Sequence, residues 1–172
     1  MTYLAQYSTM EPQPHKLDRF DRHILEILQE DASLSNQALA ERVGLSPSPC
    51  LRRVRALEQA GILIRRVALL DRRALGLELT ALIHIGMDRH TPERFARFEE
   101  AIASYPEVQH LYLITGQSAD YMLQVVVPDM DAYQDFLLRR VTRLEGVDSV
   151  HSSFVLRRVV DRTSLPLDYI RD

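Results

Sequence analysis

Apolar residues recur at helical spacing through the first third of the chain and alternate with polar ones through much of the rest. Phe20, Ile24, Ile27 and Leu28 fall on one face of a helix. Asp18 stands at its cap position, and Asp21 lies in its first turn, where a negative charge complements the helix dipole. The period breaks at Asp31-Ala32-Ser33. Ser35 is the next cap, and Leu39, Ala40 and Val43 make one face of a short second helix. Gly44 ends it, because the residue just past a helix end often needs a positive φ. Ser46 caps a third helix with Pro47 at its first position and Pro49 still in the first turn, where a missing N–H is harmless. Cys50, Val54 and Leu57 form its apolar face, and Gly61 closes it.

Beyond the helices, Ile62 to Leu70 is rich in β-branched and aliphatic residues, interrupted by Arg65-Arg66, and reads as a strand. Asp71–Gly76 is polar and marks a domain boundary. The second half then predicts a strand over Ala81–Met87, a helix capped by Thr91 that stops before Pro106, strands over Val108–Thr115 and Tyr121–Val127 around a Gly116–Ala119 turn, a helix from Asp129 to Gly146, and a last strand over Val147–Val160. The order β-α-β-β-α-β predicts a four-stranded antiparallel sheet with two helices on one face. The fold class is α+β. The divisions are a flexible tail over 1–16, a three-helix segment over 17–62, a linking strand and hinge over 63–76, a sheet domain over 77–161 and a C-terminal tail over 162–172.

Composition narrows the function classes. At 172 residues, 46% hydrophobic and 26% charged, the chain holds one medium domain or two small ones with real cores. Its one cysteine, Cys50, permits no internal disulfide, and no apolar run approaches a membrane span, so the expectation is a soluble cytoplasmic protein with no membrane partner. The net charge of −3 means that any nucleic-acid binding must rest on local positive charge. Such a locality exists: between Arg42 and Arg66 there are six arginines and one glutamate, Glu58. Lys16 is the only lysine, so positive charge sits almost wholly on guanidinium forks, which grip phosphates and guanines in two places at once.

A helix, a short turn with glycine and another helix, after a preceding helix, describe a DNA-binding helix-turn-helix. In the third helix Ser48, Arg52, Arg55 and Gln59 lie largely opposite the apolar face. Arg52 and Arg53 suit guanine edges or phosphates, Arg55 a phosphate, and Ser46 with the free N–H groups at the helix start a phosphate oxygen. Arg65 and Arg66 extend the basic patch. The bland reading is a solvated arginine-rich face. The two preceding helices and the Gly-Leu-Ser turn favour DNA.

The runs Leu17-Asp18-Arg19-Phe20-Asp21-Arg22-His23-Ile24-Leu25 and Val43-Gly44-Leu45-Ser46-Pro47-Ser48-Pro49-Cys50-Leu51-Arg52-Arg53-Val54-Arg55-Ala56-Leu57-Glu58 resemble the opening helix and the turn and recognition helix of the Lrp/AsnC (feast/famine) transcription regulators. Gly61-Ile62-Leu63, Val67-Ala68-Leu69-Leu70-Asp71, Gly116 before Asp120-Tyr121, and Val127-Pro128-Asp129-Met130 resemble that family's linking strand and effector domain. The likeness covers about residues 17–165. It implies a winged-type helix-turn-helix followed by a ferredoxin-like domain. It implies homodimers paired through their sheets, which assemble into octamers or other higher rings. A free amino acid would bind between dimers and change assembly or affinity for double-stranded DNA. Carried over residue by residue, the effector candidates are Gly116, Gln117, Asp120, Tyr121 and Met130, with Ser152, Ser153 and Phe154 in the last strand. One residue more separates Gly116 from Asp120 than the family pattern has. The stretch Ser152-Ser153-Phe154 with Thr163-Ser164-Leu165-Pro166 is similar to the cysteine-, methionine- or leucine-responsive branches.

Other signals carry less. Cys50 lies on an apolar face and reads as a packing thiol. His84, His110 and His151 fall on strands, and His84 and His151 are neighbours if the first and last strands pair, but no third ligand stands at a standard spacing, so no metal site is expected. No phosphate loop, nucleophile elbow or Cys/His pairing points to an enzyme, and no cofactor is implied. The alternative to an effector-responsive regulator is an architectural, nucleoid-type DNA-binding protein without an effector.

Overall fold

The computed structural model describes residues 16–116 and 119–170. Its elements are α1 (Arg19–Glu30), α2 (Asn36–Val43), α3 (Pro47–Gln59), β1 (Leu79–Met87), α4 (Pro92–Ala103), β2 (Val108–Leu113), β3 (Tyr121–Val127), α5 (Met130–Arg139) and β4 (Val147–Phe154). They form two compact units: one holds the chain up to Leu69 together with the stretch from Val160 on, the other Leu70–Val159.

In the first unit local chemistry sets the helix ends. Asp18 accepts from the backbone N–H of Phe20 and Asp21, and the Asp21 carboxylate accepts from Asp18 N, a reciprocal capping box with aspartate in the place of the usual glutamate. Ser35 Oγ accepts from Ala38 N, and Gly44 ends α2 at φ 77°, a conformation that favours glycine. Pro47 begins α3, but Ser46 makes no side-chain cap bond there. Ile24, Ile27 and Leu28 of α1, Leu39, Ala40 and Val43 of α2, and Cys50, Val54 and Leu57 of α3 close one core. Each fully buried aliphatic side chain contributes about 1.5–3 kcal/mol.

The second unit is a four-stranded antiparallel sheet in the order β2-β3-β1-β4. Alternate residues Ala81, Ile83, Ile85, Tyr121, Leu123 and Val125 point to one side and meet Phe98 and Ile102 of α4 and Tyr133 and Phe136 of α5. Thr91 and Asp129 cap the two helices through Arg94 N and Ala132 N. Both helices of this unit pack on that one side.

Four expectations need correction. The linking stretch Ile62–Leu70 is not paired as a strand: Ile64, Val67, Leu69 and Leu70 are exposed, and strand geometry needs a neighbouring strand that this chain does not bring there. The last strand stops at Phe154, six residues before Val160, because β1 begins at Leu79 and offers little beyond that register. The last predicted helix ends as an α-helix at Arg139 and continues as a short 3-10 turn over Val141–Arg143 before Gly146. The C-terminal stretch is not a free tail. Leu167 packs on the three-helix core, Leu165 N donates to Gln29 Oε1 at 2.6 Å, and Ile170 O accepts from Arg22 at 3.1 Å. The N-terminal tail proposed over 1–16 lies outside the described residues save for Lys16.

Candidate nucleic-acid interface and ligand site

The turn between α2 and α3 is held by Asn36, whose Nδ2 donates to Pro47 O at 2.8 Å, and by Gly44. With Cys50, Val54 and Leu57 turned inward, α3 presents Ser48, Leu51, Arg52, Arg55, Ala56 and Gln59 around one shallow concavity. Arg52 and Arg55 are exposed three residues apart, within one helical turn, and no ion pair or hydrogen bond among the described residues engages either. Ser46 and Ser48 are exposed at the leading end of the helix, where Pro47 and Pro49 carry no N–H and Cys50 N is bonded to Ser46 O, so that the Ser48 N–H is the backbone donor of the first turn. The face therefore offers two unspent guanidinium forks flanked by small polar groups and a helix N-terminus.

Arg53 has a different job. Its Nη1 lies 2.8 Å from Asp18 Oδ2 and 2.9 Å from Asp21 Oδ1, and its guanidinium sits over the Phe20 ring. The Asp21 carboxylate, hydrogen-bonded to it, raises the Arg53 pKa above its ordinary value, with Asp18 adding to the effect. Asp18 is in turn held below the usual carboxylate value, first by the Asp21 N–H and then by Arg53. Arg53 thus ties α3 to the start of α1, a DNA-side partner in sequence but an internal clamp in the fold. Arg66 pairs with Glu58 at 3.2 Å, and Arg65 is exposed in the linking stretch. Burial pushes the Cys50 thiol up, consistent with a packing role.

The effector candidates separate into groups. Gly116 is exposed at the loop between β2 and β3, and Gln117 lies outside the described residues. Asp120 closes that loop. Its backbone N donates to Ile85 O, and its backbone O accepts from Ile114 N. Its carboxylate accepts from Met87 N at 2.7 Å through one oxygen and lies 2.8 Å from His90 Nε2 through the other. Both oxygens are engaged, so Asp120 holds the loop against β1. Tyr121 is fully buried: it meets Phe95 edge-on and Phe98 at a tilt, and donates its hydroxyl to Glu99 Oε1 at 2.8 Å. Burial, with Glu99 beside it, keeps this phenol protonated well above its ordinary value. Tyr121 belongs to the core of the sheet unit.

Met130 starts α5 with half its surface exposed. Ser152 and Phe154 share the helix-facing side of β4 and converge on Tyr133, whose hydroxyl hydrogen-bonds Ser152 Oγ and whose ring meets Phe154 edge-on at 5.1 Å. Ser153 points to the opposite side, across from Leu82. Sequence reasoning missed His90, Glu99 and Tyr133 at these positions. Tyr133 carried only a helical core signal, and nothing in spacing alone links His90 to Asp120, since the contact crosses from the β1–α4 loop to the β2–β3 loop.

The three-helix unit and the sheet unit together define a DNA-binding protein with a separate ligand-binding module. Residues 17–64 match the winged helix-turn-helix DNA-binding model, and residues 80–165 match the Lrp/AsnC ligand binding domain. The DNA-binding transcriptional activator DecR of Escherichia coli K12 is 42% identical over 152 residues, covering 88% of this chain and 99% of the relative. The leucine-responsive regulatory protein of Rhizobium meliloti is 40% identical over 146 residues, covering 85% and 93%. A transcriptional regulator from Neisseria meningitidis, solved in complex with L-Met, superposes with a TM-score of 0.85 at 41% identity, covering 90% of this chain and 99% of that one. The chain belongs to the Lrp/AsnC family of transcription regulators. It is a regulator, not an enzyme. Among the described residues no helix is long and apolar enough to cross a membrane.

Proposed function

We propose that this protein reads double-stranded DNA through the outer face of α3 and that a free amino acid bound to the sheet unit tunes that reading. The observation that carries the DNA half is the pair of unspent guanidinium groups, Arg52 and Arg55, on the outer face of a helix whose opposite face is committed to packing. Arg52 addresses base edges, while Arg55, Ser46, Ser48 and the helix N-terminus address phosphates. Arg65 and Arg66 add phosphate contacts. Arg53 contributes indirectly by fixing α3. Two such helices in a homodimer, paired through the uncovered faces of their sheets, would enter successive major grooves about 34 Å apart. Further assembly of dimers into octamers or other rings would place several such pairs along one duplex.

The ligand half rests on Gly116, exposed after β2, and on Met130, a half-exposed and adaptable apolar wall. Asp120, with both oxygens engaged, orders the loop between β2 and β3. Ser152, Ser153 and Phe154 supply the neighbouring strand. The L-Met bound to the Neisseria relative makes methionine, leucine and cysteine the first effectors to test. Titration calorimetry of the full chain against these three is expected to give saturable heat with one or more. No heat with any, and no thermal stabilisation across the free amino acids, would favour an effector-independent architectural protein.

A further inference from the structure

We propose that the uncovered side of the sheet closes on a second copy of this chain through a histidine patch that makes the contact sensitive to pH. The inference rests on the sheet-to-sheet pairing proposed above and adds a property of the residues that would meet there. Strand register assigns that side without ambiguity. One row across the sheet runs Tyr112, Met122, His84, His151; the next runs His110, Gln124, Leu82, Ser153. Thr80, Val126, Gly86 and Ser149 complete the paired positions. His110, Tyr112, His151 and Ser153 are exposed, and Leu82, His84, Met122, Gln124 and Val126 are half-buried.

In a chain that is 26% Asp, Glu, Lys and Arg, none of these paired positions holds any of the four. The titratable groups on the face are His84, His110, His151 and the Tyr112 phenol, with His110 and Tyr112 stacked at 5.7 Å. Asp148 lies at the register shift opposite Gly86 and Met87, outside the rows. Both helices of the unit pack on the opposite side, and the paired strand positions set no Asp, Glu, Lys or Arg beside the histidines. With neutral imidazoles the surface carries no formal charge, and a second copy can cover it without burying an ion. It also offers no charge pattern by which a different partner would be selected, whereas an isologous contact needs only the same neutral surface twice.

Protonation reverses this. His84 and His151 are directly opposite one another, where like charges repel across 4.5–5.5 Å of typical Cβ separation, about the closest approach a sheet allows. A face-to-face pair would bring six imidazoles together. An ordinary imidazole titrates near pH 6.5, so each one that must give up its proton to enter the contact weakens association about tenfold between pH 7.5 and 5.5. The sign follows: the free face binds protons better than the covered one, so acid favours separation.

The test is the dissociation constant of the full chain, measured by sedimentation with fluorescence detection between pH 7.5 and 5.5, with and without EDTA. Wild type is expected to weaken at least tenfold on acidification, and the double variant His84→Gln, His151→Gln to lose most of that dependence while still dimerising at pH 7.5. A wild-type constant that does not move, or a double variant that moves as much, overturns the proposal. A pH response that vanishes on adding EDTA would assign the histidines to a metal instead and also overturn it. Leu82→Glu and Tyr112→Glu, each checked for native circular dichroism, separate the underlying reading: if either folded variant fails to dimerise at pH 7.5, the sheet faces do pair, whatever the histidines do. If both folded variants dimerise as wild type does, the pairing itself is wrong and the histidine proposal falls with it.

Discussion

Arg52 and Arg53 are neighbours in sequence with opposite tasks, and the difference is the α1 N-terminus. Asp18 and Asp21 exist as a capping box whether or not Arg53 is present, and the box leaves two carboxylates at the edge of α3. Arg53 completes them, while Arg52, one residue earlier, faces away. Arg53→Ala is expected to cost about 1–3 kcal/mol of stability, because it removes a charge-assisted hydrogen bond to the largely buried Asp21 carboxylate, and to reduce DNA affinity only as folding suffers. Urea denaturation beside binding at a temperature where both proteins are folded checks this. Removing the cap by Asp18→Ala should cost about 1 kcal/mol at neutral pH. Because the folded-state pKa of Asp18 is depressed, its contribution is present above about pH 4, the unfolded carboxylate range, and is lost as pH falls through the folded value. The gap in melting temperature between wild type and Asp18→Asn should therefore close on acidification. At the other unit, Asp120→Asn keeps an acceptor for Met87 N but removes the carboxylate charge beside His90 Nε2. The expected result is a weakened amino-acid response in calorimetry with an unchanged fold, and unaltered effector binding would remove Asp120 from the site.

At the scale of elements, most of the fold could be read before the structure. Asp18, Ser35, Thr91 and Asp129 each mark a helix start, because short polar side chains satisfy orphan N–H groups locally. Tyr121–Val127 has the bounds its alternation predicts, since both sides of that strand are specified by neighbours. What failed depended on partners distant in sequence. Ile62–Leu70 has strand composition, yet composition does not supply a neighbouring strand. Val155–Val160 continues the pattern of β4 past the end of its neighbour. The C-terminal stretch has no period, but Leu167 finds the helix core and Gln29 grips Leu165 through both backbone groups. Truncation after Pro166 should accordingly lower the melting temperature of the three-helix unit, and Gln29→Ala should reproduce part of that loss; a truncated chain as stable as wild type would make the docking incidental. The candidate ligand site was legible only in part for the same reason. Asp120 meets Met87 N and His90, and Tyr121 meets Glu99, contacts between distant residues that spacing alone does not give.

For the whole molecule, a net charge of −3 and a concentrated arginine face are compatible because DNA sees the local potential of α3 before it sees the sum. An effector on the sheet unit can alter DNA affinity only by favouring one assembly or arrangement over another, and such coupling is typically about 1–3 kcal/mol. The central claim is that the outer face of α3 reads the duplex, and equilibrium binding to the protein's own promoter by fluorescence anisotropy, across a salt series, tests it most directly. For wild type the account predicts specific binding that weakens as salt rises. Arg52→Ala should lose about 1–3 kcal/mol of discrimination between promoter and random DNA. Arg55→Ala should weaken both sequences alike and flatten the salt slope by about one unit. Folded single variants and a folded double variant that bind the promoter with wild-type affinity, specificity and salt slope would contradict the account.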